Sequence, residues 1–336
     1  MLFMVTNRSI RGGKYSDEEK PNRKFDYLYA YNKKSRGKDK FEKSGKKGFQ
    51  TALLGELERL HKKEGVTPNV GIYLHGFNNN YQDSIDEIFD LEKSLSELHE
   101  YPPIIVGFSW PSSGSTVSYL SDREEVRDSI GAFTRFLLEI NKLATENQHN
   151  CFSSTFCIAH SMGNYLLRKG MEYLSDSLGT PKGRMLFDET IMIAPDLSSS
   201  DIEKNGKGSY IADFSRRVHV YYSKHDRALR ASSIKRFGGN RLGRHGANDY
   251  ENLAKNVVLV DAKEYANSQS ISGYKDRVGE QVSVHSSHRY HKSILTDIIQ
   301  VISSIDRDLI EGREALKEDE KPMSNHFRLI PTKEEG

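Results

Sequence analysis

The stretch Ala159-His160-Ser161-Met162-Gly163 indicates how this chain folds. It follows an apolar run over residues 152–158 and precedes Asn164-Tyr165-Leu166-Leu167-Arg168, which is typical of a helix start. Small residues two positions before and after Ser161 allow a strand to turn sharply into a helix, and such a turn holds a serine hydroxyl beside unpaired amides. The pattern predicts a serine nucleophile, although a structural serine at a helix N-terminus has a similar sequence.

Apolar runs and amphipathic segments alternate along the rest of the chain. Strands are predicted at residues 2–6, 27–31, 70–74, 104–108, 152–158, 190–194, 217–223 and 257–260. Helices are predicted from residue 51, at 84–98, at 122–143, after Gly163 and at 293–305. This alternation predicts an α/β fold with a mostly parallel central sheet and helices on both faces.

Length and composition suit one large domain. The chain has 336 residues, of which 36% are hydrophobic and 29% are charged. We expect a single α/β domain over residues 1–311, followed by a charged, mobile tail over residues 312–336. The chain has no run of the roughly 18 apolar residues that a membrane-spanning helix needs, so the expected location is the cytoplasm.

The positive charge is concentrated in one segment. Residues 20–47 hold eleven Lys or Arg against three Asp or Glu, whereas the whole chain has a net charge of only +2. Such a run is most often a solvated surface loop, and we expect no nucleic-acid partner. Peripheral contact with an anionic membrane is an alternative role for this basic loop.

The predicted strand ends carry three groups in the order serine, acid, histidine. Beyond the carboxyl ends of parallel strands, side chains from different strands meet. Asp226 follows one such strand and is the preferred acid, since a carboxylate there can orient a histidine that accepts the serine proton. Asp196 follows the preceding strand and is the alternative acid, with helix or turn capping as its structural interpretation.

Three histidines compete for the role of base. His285, His288 and His291 all precede the final predicted helix. His288 is preferred because it lies two residues before Tyr290 and close to the helix start, and His285 is the alternative base. Their regular spacing also resembles a metal site, but no cysteine or paired carboxylate converges on it, so we predict no metal and no cofactor.

A strand end earlier in the chain supplies candidate donors for an oxyanion. His75-Gly76-Phe77-Asn78 ends the predicted strand at 70–74, and Gly76 allows the backbone to turn inward. We expect an oxyanion hole made by the amides of Met162 and of Phe77 or Asn78. His75 is expected to pack beneath this loop.

Several short motifs together resemble a known family. They are Met4-Val5-Thr6-Asn7-Arg8, His75-Gly76-Phe77-Asn78, Phe108-Ser109-Trp110-Pro111-Ser112, Ala159-His160-Ser161-Met162-Gly163-Asn164, Ala194-Pro195-Asp196, Tyr222-Ser223-Lys224-His225-Asp226-Arg227-Ala228-Leu229 and Arg241-Leu242-Gly243. The ordered set resembles the α/β-hydrolase superfamily, and specifically a bacterial family known only as an alpha/beta hydrolase of unknown function, which is esterase/lipase-like. Ala159 stands where that family usually has glycine.

The resemblance implies a Ser161, Asp226 and histidine triad that cleaves a carboxylic ester or a related acyl bond. The expected substrate is a small-molecule or lipid acyl ester. A phospholipase, a thioesterase or an acyltransferase would use the same triad, and a non-catalytic binding module with a hydrolase fold is the alternative of another class. Residues 112–120 and 235–250 are candidate lid loops, or surface loops with turn glycines.

Overall fold

The computed structural model describes residues 1–17, 20–22, 24–30, 42–113, 119–147, 154–180, 184–235, 239–276 and 279–330. Much of the basic loop, the centre of the candidate lid loop at 112–120 and residues 236–238 of the second candidate lid loop lie outside these described residues.

Strands and helices alternate through the described residues as predicted. The strands are β1 (Leu2–Thr6), β2 (Ile10–Arg11), β3 (Lys14–Tyr15), β4 (Asp26–Ala30), β5 (Glu42–Lys43), β6 (Val70–Leu74), β7 (Ile104–Ser109), β8 (Thr155–His160), β9 (Phe187–Ile193), β10 (Ser215–Tyr222), β11 (Val257–Asp261), β12 (Arg313–Glu318) and β13 (Lys321–Leu329). The helices are α1 (Gly45–Glu64), α2 (Tyr81–Leu98), α3 (Tyr119–Glu146), α4 (Gly163–Asp176), α5 (Ser209–Asp213), α6 (Arg227–Lys235), α7 (Leu242–His245) and α8 (Lys292–Ile302). Among the residues described, we find no helix with the length and apolarity needed to cross a bilayer.

The central sheet is mostly parallel, which confirms the predicted fold class. Its strand order is β12-β13-β11-β10-β9-β8-β6-β7-β1-β4-β5. Every pairing from β13 to β1 is parallel, while β12 at one edge and β4 and β5 at the other are antiparallel. β2 and β3 form a separate hairpin.

Both faces of the sheet are covered, so its strands are apolar on both sides. In β1, Phe3 and Val5 pack into the core under α1, α3 and α4, whereas Leu2 and Met4 pack into the core under α2 and α8. Successive side chains of a strand point to opposite faces, so a strand covered twice becomes a continuous apolar run. This is why the strands were recognisable as short apolar segments.

The order of the strands reverses beside β6. The chain passes from β6 to β7 on one side and then returns to form β8 on the other side of β6. Loops that leave the carboxyl ends of β6 and β8 therefore part in opposite directions and leave a crevice between them. Ser161 follows β8, and the His75-Gly76-Phe77-Asn78 segment follows β6, so both lie at this crevice.

The C-terminal segment differs from the predicted mobile tail. Within 312–330, β12 and β13 form a hairpin, and β13 pairs in parallel with β11. Phe327 and Leu329 are buried in the core shared with α8. The hairpin lies at the sheet edge, and its many charged residues obscured a period-two apolar pattern at Met323, Phe327 and Leu329.

Replacing Phe327 with alanine tests whether this hairpin contributes to the core. We expect Phe327→Ala to lower the free energy of unfolding by about 3 kcal/mol, because the side chain is 4% exposed and its loss leaves a cavity. Urea unfolding followed by circular dichroism gives this value. Ser324→Ala on the exposed face of β13 is the matched control, and equal stability of the two variants would show that the hairpin is not integrated.

Candidate active site

Ser161 lies on a strained turn between β8 and α4. Its φ angle is +51°, in the left-handed region that residues other than glycine rarely adopt. A Cβ atom at Gly163 would come within 2.6 Å of the Leu74 carbonyl oxygen and 2.7 Å of the His75 carbonyl oxygen. Glycine at 163 therefore lets α4 start directly against the end of β6, and the turn that results holds Ser161 at the crevice.

Asn164 stabilises the turn from inside α4. Its buried Nδ2 group donates to the carbonyl oxygens of Ala159 at 2.8 Å and of Ile193 at 3.2 Å. The Ser161 amide donates to the same Ile193 carbonyl at 3.0 Å, and the Ser161 carbonyl accepts from the Asp196 amide at 3.2 Å. These hydrogen bonds connect the turn to the end of β9. The strained backbone at Ser161 is therefore stabilised by both β8 and β9.

Asp226 and His285 form a buried hydrogen-bonded pair. Asp226 follows β10, and His285 lies in a 3-10 turn, Val284–Arg289, just before α8. His285 donates from Nδ1 to Asp226 Oδ2 at 2.6 Å, and the Leu229 amide donates to the other carboxylate oxygen at 2.9 Å. With Nδ1 engaged, His285 has Nε2 left for chemistry in the cavity that it lines.

Each member of this pair favours the charged form of the other. Burial opposes ionisation of both groups. The charge and hydrogen bond of His285 nevertheless hold the pKa of Asp226 below its usual value. Asp226 in turn raises the pKa of His285 above the ordinary histidine value of 6.5. A histidine in this setting is well suited to accept a proton, because the resulting cation is stabilised.

His288, which the sequence favoured as the base, does not contact Asp226. In a 3-10 helix, residues three apart lie on the same side, so His288 sits one turn beyond His285 and deeper in the protein. It is 1% exposed, and neither ring nitrogen has a hydrogen-bond partner among the described residues. Burial lowers the pKa of His288 well below the ordinary value, so it is a neutral packing residue. His285, Ser286 and Arg289 of this helix line the cavity, whereas His288 does not.

His160 and His291 make structural contacts. The His160 ring lies between His285 and His288, with centroid distances of 4.7 and 4.5 Å. Its Nε2 donates to the His285 carbonyl oxygen at 2.9 Å, and burial lowers the pKa of His160 to about 3. His291 caps α8 by accepting from the Ser293 amide at 3.2 Å. His160 thus fixes the backbone of the turn that carries His285.

Asp196, the alternative acid, is engaged elsewhere. Its carboxylate accepts from the Tyr119 hydroxyl and from the Ser232 hydroxyl, both at 2.6 Å. Arg241 Nε lies 3.7 Å from the same carboxylate. Because Tyr119 begins α3 and Ser232 belongs to α6, Asp196 joins these two helices at the wall of the cavity rather than orienting a histidine.

The predicted oxyanion loop lies beside Ser161. A Cβ atom at Gly76 would be 3.1 Å from the Ser161 Cβ atom, so the loop and the turn are in close contact. Asn78 has a φ angle of +64°, which bends the loop sharply. Among the described residues, the amides of Met162 and Asn78 have no hydrogen-bond acceptor, as an oxyanion donor requires.

Arg8 supports this loop from behind, a role that the sequence analysis did not assign. The side chain is fully buried and donates from Nη2 to the Asn79 carbonyl oxygen at 2.8 Å, from Nε to Ser109 Oγ at 3.0 Å and from Nη1 to Asp17 at 2.7 Å. Burial lowers the pKa of Arg8 to about 10, although Asp17 opposes this effect. The motif at residues 4–8 therefore belongs to the site. His75 packs beneath the same loop and stacks on Trp110.

A second buried arginine fastens the histidine-bearing turn to α2. Arg289 forms an ion pair with Glu87, which also accepts from the Tyr73 hydroxyl at 2.8 Å. Burial would raise the pKa of Glu87, but Arg289 lowers it to about 2. The Tyr290 hydroxyl adds a bond of 2.6 Å to Asp90 on the same helix. The sequence analysis assigned none of these residues.

Ser161, His285 and the oxyanion loop share one cavity. Its volume is about 370 Å³. It is lined by Phe77, Asn78, Asn79, Glu87, Tyr119, His160, Ser161, Asp196, Ala228, Leu229, Ala231, Ser232, His285, Ser286 and Arg289.

The Ser161 hydroxyl has no hydrogen-bond partner among the described residues. In free enzymes the contact between nucleophile and base often tightens only when substrate binds. We find no cluster of three or more His, Cys, Asp or Glu side chains, within the same described ranges, that could hold a metal ion.

Comparison with known proteins identifies the family. The model of a family described as "alpha/beta hydrolase of unknown function (DUF900)" matches residues 50–293. An uncharacterized protein of Nostoc sp. is 29% identical over 178 residues, which cover 45% of this chain and 44% of the Nostoc protein. The match thus spans less than half the length of that relative.

Two solved structures, a lipase and a phospholipase, are less similar to this chain in sequence than the Nostoc protein is. Aspergillus fumigatus lipase B is 12% identical with a TM-score of 0.35, covering 70% of this chain and 52% of the lipase chain. Phospholipase PlaB from Legionella pneumophila is 15% identical with a TM-score of 0.27, covering 62% of this chain and 43% of the phospholipase chain.

Removing the charge of Asp226 tests the acid–base pair without a substrate. We expect Asp226→Asn to lower the pKa of His285, because a neutral amide no longer stabilises the imidazolium. NMR titration of the His285 ring proton measures this change. Asp196→Asn is the matched control and is expected to lower the pKa less, since Asp196 contributes less to it than Asp226 does. Equal effects of the two variants would contradict the pairing.

Proposed function

Since the chain belongs to the family of alpha/beta hydrolases of unknown function, we propose that it is a serine hydrolase that cleaves a carboxylic ester, or a related acyl bond, through Ser161, His285 and Asp226. The observation that carries this proposal is the 2.6 Å hydrogen bond from His285 to Asp226 beside the cavity that Ser161 enters. The strained turn at Ser161 supports it, because such a turn presents a hydroxyl clear of the sheet.

In the first half of the proposed reaction, the substrate acylates the enzyme. Ser161 Oγ attacks the acyl carbonyl carbon while His285 Nε2 takes the hydroxyl proton, and Asp226 stabilises the imidazolium that forms. The carbonyl oxygen becomes an oxyanion, which the amides of Met162 and of Phe77 or Asn78 stabilise. The carbon–oxygen bond to the leaving group then breaks, and His285 donates its proton to the departing alcohol.

In the second half, water releases the acyl group. His285 Nε2 takes a proton from a water molecule, whose oxygen attacks the acyl carbon of the Ser161 ester. The same amides stabilise the second oxyanion, and the proton passes from His285 to Ser161 Oγ as the acid leaves. The acid–base pair and the oxyanion loop thus act in both halves of the proposed reaction.

A fluorophosphonate reagent tests the nucleophile without knowledge of the substrate. We expect one adduct on the wild type, detected by intact mass, and none on Ser161→Ala. His285→Asn should slow labelling by about 100-fold or more, because the general base is lost. His288→Asn, the same change one helical turn deeper, should retain most of the wild-type rate, with circular dichroism confirming that both variants fold.

Two results would count against the assignment. Slow labelling of His288→Asn with normal labelling of His285→Asn would move the base to His288. A wild type that folds but forms no adduct would favour the non-catalytic binding module. If labelling is as expected, matched carboxylic ester, thioester and phospholipid substrates would then separate the acyl bonds that the triad can cleave.

The pH dependence of hydrolysis follows from the raised pKa of His285. A general base must be neutral in the free enzyme, so kcat/KM should fall as the pH drops through the pKa of His285. Because Asp226 raises that pKa above 6.5, we expect the inflection above pH 6.5. A profile measured with a soluble short-chain ester checks this, and an inflection well below pH 6.5 would disagree with a His285–Asp226 pair.

A further inference from the structure

Helix α6 forms one wall of the mouth of the cavity. Its residues Ala228, Leu229, Ala231 and Ser232 line the cavity that also contains Ser161. Ser232 Oγ lies 3.1 Å from the Tyr119 hydroxyl, which places the start of α3 directly beside α6. These two helix segments therefore flank the entrance to the candidate active site.

Large apolar side chains are exposed on both flanks of this entrance. Ile234 on α6 is 74% exposed, and Leu120, next to Tyr119 on α3, is 65% exposed. Ala228 and Ala231 on α6 add smaller exposed apolar groups. Exposed apolar side chains that cluster around a site, rather than lying singly, indicate a surface that another body covers.

The same entrance carries cations without partners. Arg227 and Arg230 on α6 are exposed, and neither forms an ion pair or a hydrogen bond with another described residue. Helix α6 contains no acidic residue, and the nearby carboxylates of Asp196 and Asp226 are both buried in the hydrogen bonds described above. The outer surface of α6 is thus positively charged and apolar at once.

We propose that α6 and the start of α3 dock the protein on an anionic lipid surface, so that the substrate is a lipid ester taken from that surface. Leu120 and Ile234 enter the region of the acyl chains, while Arg227 and Arg230 contact phosphate headgroups. The lipid then enters the cavity with its ester bond next to Ser161. The assignment of the substrate rests on the proposed serine hydrolase function, whereas the docking itself does not.

This surface differs from the basic loop that the sequence suggested. Residues 31–41 of that loop lie outside the described residues, whereas α6 and Leu120 are described and border the cavity. Docking through α6 also places the entrance against the lipid, as removal of a lipid from its bilayer requires.

Vesicle binding by Ser161→Ala tests the docking without hydrolysis of the vesicles. We expect this protein to sediment with vesicles of phosphatidylcholine and phosphatidylglycerol, weakly with phosphatidylcholine alone, and less as salt rises. Leu120→Ser with Ile234→Ser should weaken binding about tenfold. Arg227→Ser with Arg230→Ser should weaken it about 25-fold, which is about fivefold for each cation removed, and should reduce the dependence on salt.

Leu309→Ser provides the matched control, because Leu309 is 71% exposed but lies near the amino ends of β10 and β11, at the opposite end of these strands from α6. Its neighbour Arg307 bonds to the Lys255 carbonyl oxygen, close to the start of β11. We expect this variant to bind vesicles like its parent. A loss as large as that of the Leu120 and Ile234 variant would overturn the proposal.

Two further outcomes decide against a lipid surface. Absence of binding to either kind of vesicle would overturn the proposal, and retention on immobilised polyglutamate without vesicle binding would point to an acidic polypeptide instead. Fluorophosphonate labelling of the wild type in solution reports on Ser161 separately. Normal labelling without vesicle binding would contradict the docking alone. Vesicle binding without labelling would contradict the proposed serine hydrolase function alone.

Discussion

A side chain at position 163 would collide with the carbonyl oxygens of Leu74 and His75, and this steric constraint organises the site. With glycine there, α4 begins against the end of β6, and Ser161 must adopt a left-handed backbone conformation to connect it to β8. The same contact brings the loop after β6 beside the serine. The close approach of Gly163 to the end of β6 therefore sets the position of the Ser161 hydroxyl and that of the loop after β6.

Two buried arginines position the remaining parts. Arg8 holds the Phe77–Asn78 loop through the Asn79 carbonyl oxygen, and Arg289 holds the turn that carries His285 through Glu87. Removing one partner of a buried ion pair leaves an uncompensated charge, so such pairs resist local displacement. The loop and the turn are both joined to α2, because Asn80 caps its start and Glu87 lies two turns later. Helix α2 thus connects the proposed oxyanion donors with the proposed base.

Sequence patterns predicted the fold, and they pointed to part of the candidate site, for identifiable reasons. Strands buried on two faces are continuous apolar runs, and side chains that follow parallel strands meet at one edge, which brought Ser161 and Asp226 together. The choice between His285 and His288 depended on depth along a 3-10 turn, which spacing does not encode. Arg8, Glu87 and Arg289 are far apart in sequence and have no local signature, and the charged residues of the β12–β13 hairpin concealed the alternating apolar residues of β13.

The late position of the His285 turn has a consequence for the chain as it is made. The left-handed turn at Ser161 is held by β6, β8, α4, β9 and the Asp196 amide, all of which come before residue 197. The proposed base comes at residue 285, and the ion pair that anchors it comes at 289. While the ribosome is still adding the residues between, the emerging polypeptide carries a serine with nothing to activate it. On the proposed mechanism, an incompletely synthesised chain is chemically silent, and acyl transfer begins only when the C-terminal third has folded onto α2.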